Sequence, residues 1–468
     1  MKLIGALTSK PYAFKARPWE LENISTIDYH DANGTNILVS VRGSQIMRVL
    51  PKINTHLNDE WISDKVRFSY DGFSKQRLFH PMLKINNKFE KISWKEAFDI
   101  IKDKFDKGFL FEGIYGGACD AESILIFKEL LNKIGNSTIN NTHLNNNLDV
   151  DIQDNYLINS NIDESDLCLL IGTNPRFETP LLNLKIRKNV LQNKLKVFTL
   201  GYSRNLTYTT EYLGNSTRIL ISIIEGRHIM AQRLLTDKYP MILVGPDAFN
   251  TIKFNNTMLN LLKKMVNREN WNGFNILHQI SSTIIGAELG CINKRYEKDF
   301  LNNERVIYSY NSDDIVINKN MDNFVIYQGH SADYIAQQAN LILPGSAIIE
   351  KNGIIINNEG IKQKINFCTK SPADARNDWK IFEALANYLG LHLKYSNIKN
   401  IDDKLYEILP DRSKDKNFIK VNEHNATIVN GYIGSSMNNF YMTDTISRNS
   451  QTMGLAHNRF KKSEDNFI

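Results

Sequence analysis

The sequence predicts an α/β protein with a β-rich N-terminal segment followed by doubly wound βα domains. Three observations support this fold class. The chain has 468 residues, more than one hydrophobic core usually serves, so two to four domains are expected. Its first ninety residues alternate apolar and polar positions between turn residues. From residue 108 onward, short apolar runs that end in glycine or a polar turn alternate with helical segments, which is typical of buried parallel strands.

The N-terminal segment, residues 1–90, is predicted to form a β-hairpin or meander. Two pairs of residues that tolerate a positive φ, Asn33-Gly34 and Arg42-Gly43, separate its apolar runs. The pattern does not indicate a nucleotide-binding unit. The apolar positions that alternate on either side of the second turn are Ile37, Val39, Val41, Ile46 and Val49.

Residues 91–235 and 236–395 are predicted as a first and a second α/β domain. Ser93 and Glu96 fit a capping box at the start of a helix. A second amphipathic helix is expected over residues 374–390, and its last residue is a C-cap glycine. Residues 396–468 are expected to form a C-terminal extension that packs back on the core. The strand-like runs of the two α/β domains are GFLFEGIYGG (108–117), SDLCLLIG (165–172), KLKVFTLGYS (194–203), YPMILVGPDA (239–248), VIYSYNSDD (306–314) and NFVIYQGHS (323–331).

Composition excludes several classes of function. Hydrophobic residues make up 42% and charged residues 23% of the chain, which is ordinary for a globular protein. No apolar run reaches the length of a membrane span, so no direct membrane insertion is expected. The net charge of +6 is spread along the chain without a basic block, so nucleic-acid binding is not expected.

The four cysteines, Cys119, Cys168, Cys291 and Cys368, are far apart and form no CxxC pair. Cys168 lies in the apolar run LCLLIG, where a buried free thiol is the expected state. Free, buried thiols in a reducing compartment are predicted for the whole set. The sequence therefore predicts no iron–sulfur cluster and no molybdenum in this chain, and no metal-binding residues.

The loop GTNPRFE (172–178) is the first place to look for a ligand, because loops after parallel strands bind ligands in this architecture. Asn174, Arg176 and Glu178 offer polar groups there. A cation beside an acid also fixes a loop internally, and this structural role is favoured here. Gly116-Gly117 has two interpretations, an anion-binding turn before a helix or a tight strand-to-helix turn, and the tight turn is favoured.

Other polar residues give no stronger signal. His330 follows a predicted strand, a suitable place for an acid–base group, but a hydrogen-bonded turn residue is the favoured interpretation. Asp163, Glu164 and Asp166 precede a strand, where a solvated loop is more common than a metal site. There is no HExxH and no GxSxG. No catalytic, cofactor-binding or metal-binding residue is therefore predicted.

The opening stretch resembles the large iron–sulfur subunit of respiratory complex I, the NADH:ubiquinone oxidoreductase. In that family a cysteine segment runs directly into a sequence like GALTSKPYAFKARPWE (5–20). The resemblance covers nearly all of the chain. It is also found in STIDYHDANGTNILVSVRG (25–43), MRVLP (47–51), NDEWISDKVRFSYDG (58–72), GTNPRFETPLLNLKIRK (172–188), VIYQGHSAD (325–333), ANLILPG (339–345), EKNGIIINNEG (350–360), DWKIFEALA (378–386) and FYMTDTISRNSQTM (440–453).

The resemblance implies a molybdopterin oxidoreductase-like fold, with residues 1–90 as a remnant of the Mo/W bis-MGD-type domain. Ile361 stands where the family usually has arginine, which weakens the case for an anionic pterin. The implied function is structural support, in the peripheral arm of mitochondrial complex I, for the iron–sulfur electron-transfer chain from NADH to ubiquinone. A molybdopterin-dependent oxidoreductase and a small-molecule binding module that uses the relic pocket are the alternatives.

The resemblance also implies partners and a location. Because Lys2-Leu3-Ile4 stands where the family has its cysteine segment, the chain is expected to lack the N-terminal iron–sulfur half. That half is then a separate partner chain that carries the clusters, alongside other peripheral-arm subunits. Tyr12, Phe14 and Trp19 are the expected aromatic anchors for it. The first twenty residues read as mature family sequence and not as a removable presequence, so synthesis of the chain inside the mitochondrion is expected. A place in the peripheral arm implies a location on the matrix side of the inner membrane.

Overall fold

The computed structural model describes residues 9–135, 137–142, 162–203, 205–251, 256–291, 305–312, 323–395, 397–409, 431–435, 437 and 439–465. The strands are β1 (Glu22–Ile27), β2 (Asn36–Arg42), β3 (Gln45–Pro51), β4 (Met82–Ile85), β5 (Lys88–Lys91), β6 (Leu110–Tyr115), β7 (Ser137–Asn141), β8 (Leu167–Ile171), β9 (Lys196–Leu200), β10 (Glu211–Gly214), β11 (Pro240–Val244), β12 (Phe274–Ile276), β13 (Arg305–Tyr310), β14 (Phe324–Gly329), β15 (Leu341–Pro344), β16 (Gly353–Ile356) and β17 (Lys362–Ile365). The α-helices are α1 (Asp64–Phe68), α2 (Trp94–Asp106), α3 (Ala121–Ile134), α4 (Pro175–Glu178), α5 (Pro180–Leu191), α6 (Thr217–Ile224), α7 (Ile229–Thr236), α8 (Pro246–Thr251), α9 (Asn256–Val266), α10 (Ser281–Glu288), α11 (Tyr334–Gln338), α12 (Asp378–Tyr388), α13 (Ile398–Ile408), α14 (Thr445–Asn449) and α15 (Gln451–Asp465).

The N-terminal segment forms a three-stranded antiparallel meander, β1-β2-β3. Ile37 pairs with Pro51 and Val39 with Val49 across β2 and β3, and Ile37, Val39 and Val49 are buried. Gly43 has a φ of +61° at the turn between these strands, a conformation that glycine adopts without strain. The predicted hairpin or meander is confirmed.

Two sheets built mainly of parallel strands follow the meander. One has five strands, all parallel, in the order β10-β9-β8-β11-β12. The other has seven strands in the order β5-β4-β15-β14-β13-β6-β7, in which β15, β14, β13, β6 and β7 run parallel. Every apolar run named in the sequence forms one of these strands as far as it is described, since residues 313–314 of the fifth run lie outside the described ranges. The predicted α/β fold with doubly wound sheets is confirmed.

Both faces of the parallel strands are covered. On β8, Leu167 and Leu169 pack in the main core, whereas Cys168 and Leu170 pack in a second cluster on the opposite face. Successive side chains of a strand point to opposite faces, so the run LCLLI is apolar throughout because neither face reaches solvent. This explains why the buried strands appear in the sequence as continuous apolar runs.

The chain passes between the sheets in a nested order. It builds β4 to β7 of the seven-stranded sheet, then the whole five-stranded sheet, and returns to the first sheet for β13 to β15. The expected boundary between residues 235 and 236 therefore falls inside the five-stranded sheet, between β10 and β11. The sheets do not follow a linear division into 91–235 and 236–395. As a statement about folding units, the four-part division stays a prediction.

The predicted helices also form. Ser93 caps α2, since its Oγ accepts a hydrogen bond from the Glu96 amide while the Glu96 carboxylate accepts from the Ser93 amide. Helix α12 packs against α3, where the rings of Phe127 and Phe382 stack with centroids 4.7 Å apart. Gly390 follows α12 with a φ of +74°. Among the described residues, no helix combines the length and apolarity that a membrane crossing needs.

Candidate functional site

The loop after β8 is fixed by its own hydrogen bonds. The Glu178 carboxylate accepts one from the Thr173 hydroxyl at 2.6 Å and one from the Asn174 amide at 2.9 Å. No ion pair joins Arg176 to Glu178 in the described part of the chain, and the Arg176 guanidinium donates to the carbonyl of Asn205 at 2.8 Å. Both charged residues are thus engaged within the chain, each with a different partner. These contacts favour the structural interpretation of the loop.

The space beside this loop is small. A cavity of about 10 Å³ lies among Thr173, Asn174, Gly201 and Asp247. A single water needs about this volume. A pterin or a nucleotide does not fit there without a rearrangement of the loop.

His330, at the end of β14, is buried, and its two ring nitrogens have no hydrogen-bond partner among the described residues. Burial lowers the pKa of its imidazole to about 3, and the charges of Arg77 and Lys351 act in the same direction. The ring is therefore neutral at physiological pH. The favoured interpretation of a hydrogen-bonded turn residue does not describe its ring, although its carbonyl accepts a bond from the Leu78 amide.

The glycine turn and the acidic segment are engaged internally. The Gly116 amide donates to the carbonyl of Tyr310, so it faces the neighbouring strand and the turn is a tight one. The Asp166 carboxylate accepts from two backbone amides of residues 238 and 239, and the Asp163 carboxylate accepts from Asn189 at 2.9 Å. No group of three or more potential ligands among the described residues is arranged to hold a metal.

A buried charge cluster lies at the carboxyl edge of the seven-stranded sheet, beside Tyr310 of β13 and Gln328 of β14. The sequence did not predict it. The Lys351 ammonium is 2.5 Å from Asp120 and 2.6 Å from Asp378, and these three side chains are at most 1% exposed. Gln328 donates to the second oxygen of Asp378, and Tyr310 lies 3.3 Å from the ammonium. We call Lys351, Asp120 and Asp378 the buried triad. It connects the N-terminus of α3, the segment before β16 and the first turn of α12.

Burial and the neighbouring charges act in opposite directions on the pKa of each member of the buried triad. Burial raises the pKa of Asp120, but Lys351 and the Ser123 hydrogen bonds outweigh burial and leave it below its usual range. At Asp378 burial prevails over the attraction of Lys351, and the pKa is raised. The two aspartates push the pKa of Lys351 upward against burial. The triad is a candidate for a structural ion network, because partners within the chain occupy all three side chains.

A second unforeseen network joins the two ends of the chain. His30 lies between Asp444, 3.0 Å from Nδ1, and Ser69, 2.8 Å from Nε2, and Lys65 donates to Thr443 at 2.8 Å. We call these five residues the terminal latch. Burial raises the pKa of Asp444, but the charges of His30 and Lys65 outweigh it and hold the pKa well below its usual range.

Two further aspartates adjoin the latch. Asp28 accepts a bond from the His30 amide at 3.1 Å. Burial, together with the charge of Asp28, raises the pKa of Asp31 to about 7. The segments 25–43 and 440–453, which carry the family resemblance separately in the sequence, meet here. That resemblance was the available signal for the latch, but sequence alone does not show that the segments touch.

A cavity of about 1390 Å³ lies between the N-terminal arm (residues 9–20), the β2–β3 turn, the 3₁₀ helix Ser69–Ser74, the segment 369–372 and helix α15. We call it the basic cavity. Two acids, Asp71 and Glu350, line it along with six cations: Lys10, Lys15, Lys75, Arg77, Lys370 and Arg459.

All four cysteines are free and buried, as expected. Burial raises the pKa of the Cys291 and Cys368 thiols to about 12. The pKa of the Cys168 thiol, inside β8, is raised further by burial alone. These thiols are protonated at physiological pH, so they are inert small hydrophobes in this state.

Comparison with known families places the chain in the class of molybdopterin oxidoreductase-like proteins, with matches to NADH-ubiquinone oxidoreductase domains on either side. A family model of molybdopterin oxidoreductases matches residues 77–388, a range that contains both parallel sheets. A model of the NADH-ubiquinone oxidoreductase NDSU1/NuoG-like 4Fe-4S domain matches residues 21–71. A third model, which describes the C-terminal region of the same NADH-ubiquinone oxidoreductase polypeptide, matches residues 413–454.

Individual relatives narrow the class. The NADH-ubiquinone oxidoreductase 75 kDa subunit of Reclinomonas americana is 40% identical over 98% of this chain and 71% of the relative. The mitochondrial 78 kDa subunit of Candida albicans is 39% identical over 96% of this chain and 66% of the relative. The mitochondrial NADH dehydrogenase iron-sulfur protein 1 of Solanum tuberosum is 35% identical, over 98% and 64%. The chain therefore belongs to the family of the 75 kDa subunit of NADH-ubiquinone oxidoreductase.

The expectation that this chain carries no cofactor is wrong. The match of residues 21–71 to a 4Fe-4S domain model points to an iron–sulfur cofactor in this chain. The matched range contains no cysteine, so a search based on cysteine spacing did not detect it.

The side chains of that range do not by themselves fit a cluster. Iron–sulfur clusters are held by cysteine thiolates, and all four thiols of the chain lie outside 21–71. Within the range, His30, Lys65 and Ser69 belong to the terminal latch and bond to protein groups. Residues 21–71 alone therefore supply no thiolate to hold a cluster.

Proposed function

We propose that this chain is a structural subunit of mitochondrial NADH:ubiquinone oxidoreductase, complex I. It lies in the peripheral arm and supports the iron–sulfur electron-transfer chain from NADH to ubiquinone. The observation that carries the proposal is the 40% identity to a 75 kDa subunit over 98% of the chain. The proposal also includes a location on the matrix side of the inner membrane and synthesis of the chain inside the mitochondrion.

The proposal assigns no catalytic residue to this chain. Arg176 and Glu178, the charged residues of the loop after β8, are bonded internally. The buried triad is satisfied by its own members and by Gln328. These contacts hold elements of the fold together, which is the role expected of a scaffold.

The exposed aromatic residues of the N-terminal arm support a protein partner there. Phe14 is fully exposed and Trp19 is 80% exposed, whereas Tyr12 is half-buried under the guanidinium of Arg48. Large exposed aromatic side chains are the usual anchors of protein interfaces. Another subunit of complex I is the partner proposed for this arm.

The test is isolation of native complex I from the source organism. We expect this chain in the NADH-oxidising band of a native gel, in stoichiometric amount by mass spectrometry, and labelled when isolated mitochondria synthesise protein. Absence of the chain from that band refutes the proposal. Synthesis outside the organelle refutes only the finer statement about where the chain is made.

A second experiment tests the arm. Replacement of Phe14 and Trp19 by alanine is expected to lower co-purification of the other complex I chains. Ile229 and Tyr432, which are 74% and 73% exposed, give a matched control pair when replaced by alanine. Equal co-purification of both double variants contradicts the assignment of the arm as an anchor.

A further inference from the structure

We propose that the basic cavity is a docking site for an acidic, Asp- and Glu-rich segment of a neighbouring protein in the same complex. This inference rests on the proposed function, because it names the chemistry of a partner within the same assembly. It differs from the aromatic anchor in the residues involved and in the kind of contact.

The charges of the cavity are unbalanced toward the cationic side. Arg77 forms a bidentate pair with Glu350, with N to O distances of 2.5 and 2.7 Å, so that cation and that acid neutralise one another. The other acid, Asp71, accepts hydrogen bonds from Ser450 and Thr452 at the start of α15. Asp71 keeps its negative charge, so it offsets at most one of the five remaining cations.

Five cations remain without an ion-pair partner in the described part of the chain. All five are exposed, and they come from four separate parts of the cavity wall. Like charges that share one concave surface repel each other, and an incoming anion relieves that repulsion. The five cations are Lys10, Lys15, Lys75, Lys370 and Arg459.

The size and the apolar parts of the cavity favour a peptide over a small anion. Its volume of about 1390 Å³ exceeds the roughly 300–1,000 Å³ of typical small-molecule pockets. Phe79 and Leu455 line it and are 48% and 61% exposed. A peptide covers such apolar surface while its carboxylates meet the lysines, whereas inorganic phosphate or pyrophosphate leaves that surface in water.

The experiment measures binding of a fluorescent peptide of alternating Glu and Asp with one Phe to the full chain, by fluorescence anisotropy. Lys75 and Lys370 are changed together to glutamate. The control changes Lys188 and Lys194 to glutamate, which are exposed and lie outside the cavity, so the net charge of the two double variants is equal. We expect the cavity variant to bind about tenfold more weakly and the control to change by less than about twofold.

Two results overturn the inference. Equal weakening in both double variants means that the peptide responds only to net charge. Displacement of the peptide by inorganic pyrophosphate at a concentration below the peptide's own Kd means that the cavity is a small-anion site. If complex I contains the chain and either of these results is obtained, only the docking site is refuted and the proposed function stands. Absence of the chain from complex I removes the proposed function instead.

Discussion

Replacement of Lys351 by methionine is expected to destabilise the fold strongly. The substitution keeps the length and apolar stem of the side chain and removes the ammonium. Asp120 and Asp378 then remain at 0% exposure without a counter-charge. The perturbation thus isolates the charge of one buried atom, with little change in packing.

The magnitude follows from the contacts that are lost. Lys351 makes two charge-assisted hydrogen bonds, at 2.5 and 2.6 Å, and bonds to charged groups contribute about 1.5–3 kcal/mol each. Removal of one partner of a buried pair generally costs about 3–5 kcal/mol. Because the pKa of Asp378 is already raised, this carboxyl takes up a proton and limits the loss, so we expect about 3–5 kcal/mol.

Guanidinium unfolding followed by circular dichroism measures this loss as a lower midpoint with an unchanged slope. Lys95→Met is the control, because Lys95 is exposed on α2, and it should stay within about 0.5 kcal/mol of the wild type. The double variant Lys351→Met with Asp378→Asn should recover part of the loss, since one buried charge is removed while Gln328 keeps its acceptor. A Lys351→Met protein within about 1 kcal/mol of wild type refutes the assignment of the triad as a structural network.

Three further predictions concern substitutions of single residues. Asp31→Asn should stabilise the protein increasingly between pH 5 and pH 7, by up to about 1.4 kcal/mol per pH unit. The reason is that Asp31 has a pKa of about 7 in the folded protein, so the wild type loses stability as the pH rises to that value. A pH-independent effect in unfolding experiments contradicts this. Gly116→Ala should destabilise by about 1–3 kcal/mol, since the new Cβ would lie 1.9 Å from the carbonyl oxygen of Asn311, whereas Gly454→Ala meets no atom within 4 Å and should be neutral or stabilising in thermal unfolding. Arg176→Ala should lower stability by about 0.5–1.5 kcal/mol through loss of the bond to residue 205, without a change in NADH:ubiquinone activity per intact complex on a native gel; a large fall in that normalised activity identifies a functional role for the loop.

Local features of the fold could be predicted because the neighbouring sequence determines them. The capping box at Ser93 and Glu96 is a pattern of four residues, and both of its hydrogen bonds form. The strand LCLLI follows from its burial on two faces. Such features need no knowledge of distant parts of the chain.

The order of strands within the sheets could not be predicted in this way. A linear boundary at residue 235 was expected, yet β11 pairs with β8, more than seventy residues earlier in the chain, as in Leu243 with Leu170. Strand pairing depends on which apolar surfaces meet after the chain has folded back. Periodicity identifies a buried strand, but it does not identify its neighbour.

The buried networks were missed for the same reason. Lys351, Asp120 and Asp378 are separated by more than two hundred residues in one case and by twenty-seven in the other, so no spacing pattern reveals them. Each aspartate also has an ordinary local explanation, since Asp120 caps α3 and Asp378 lies in the first turn of α12.

The terminal latch gives the structural meaning of two family segments that lie near opposite ends of the chain, 25–43 and 440–453. His30 and Asp444 are 414 residues apart in the chain and 3.0 Å apart in space. Asp444 also caps α14 through the amides of Ile446 and Ser447, so one carboxylate fixes the C-terminal helices and holds them to the β-rich segment. Helix α15, which follows α14 directly, forms one wall of the basic cavity, and residues 44–47 form another. The latch thus helps to hold α15 against the N-terminal segment, together with the Asp71 contacts to Ser450 and Thr452. The same contacts that close the fold therefore shape the surface that we assign to a partner.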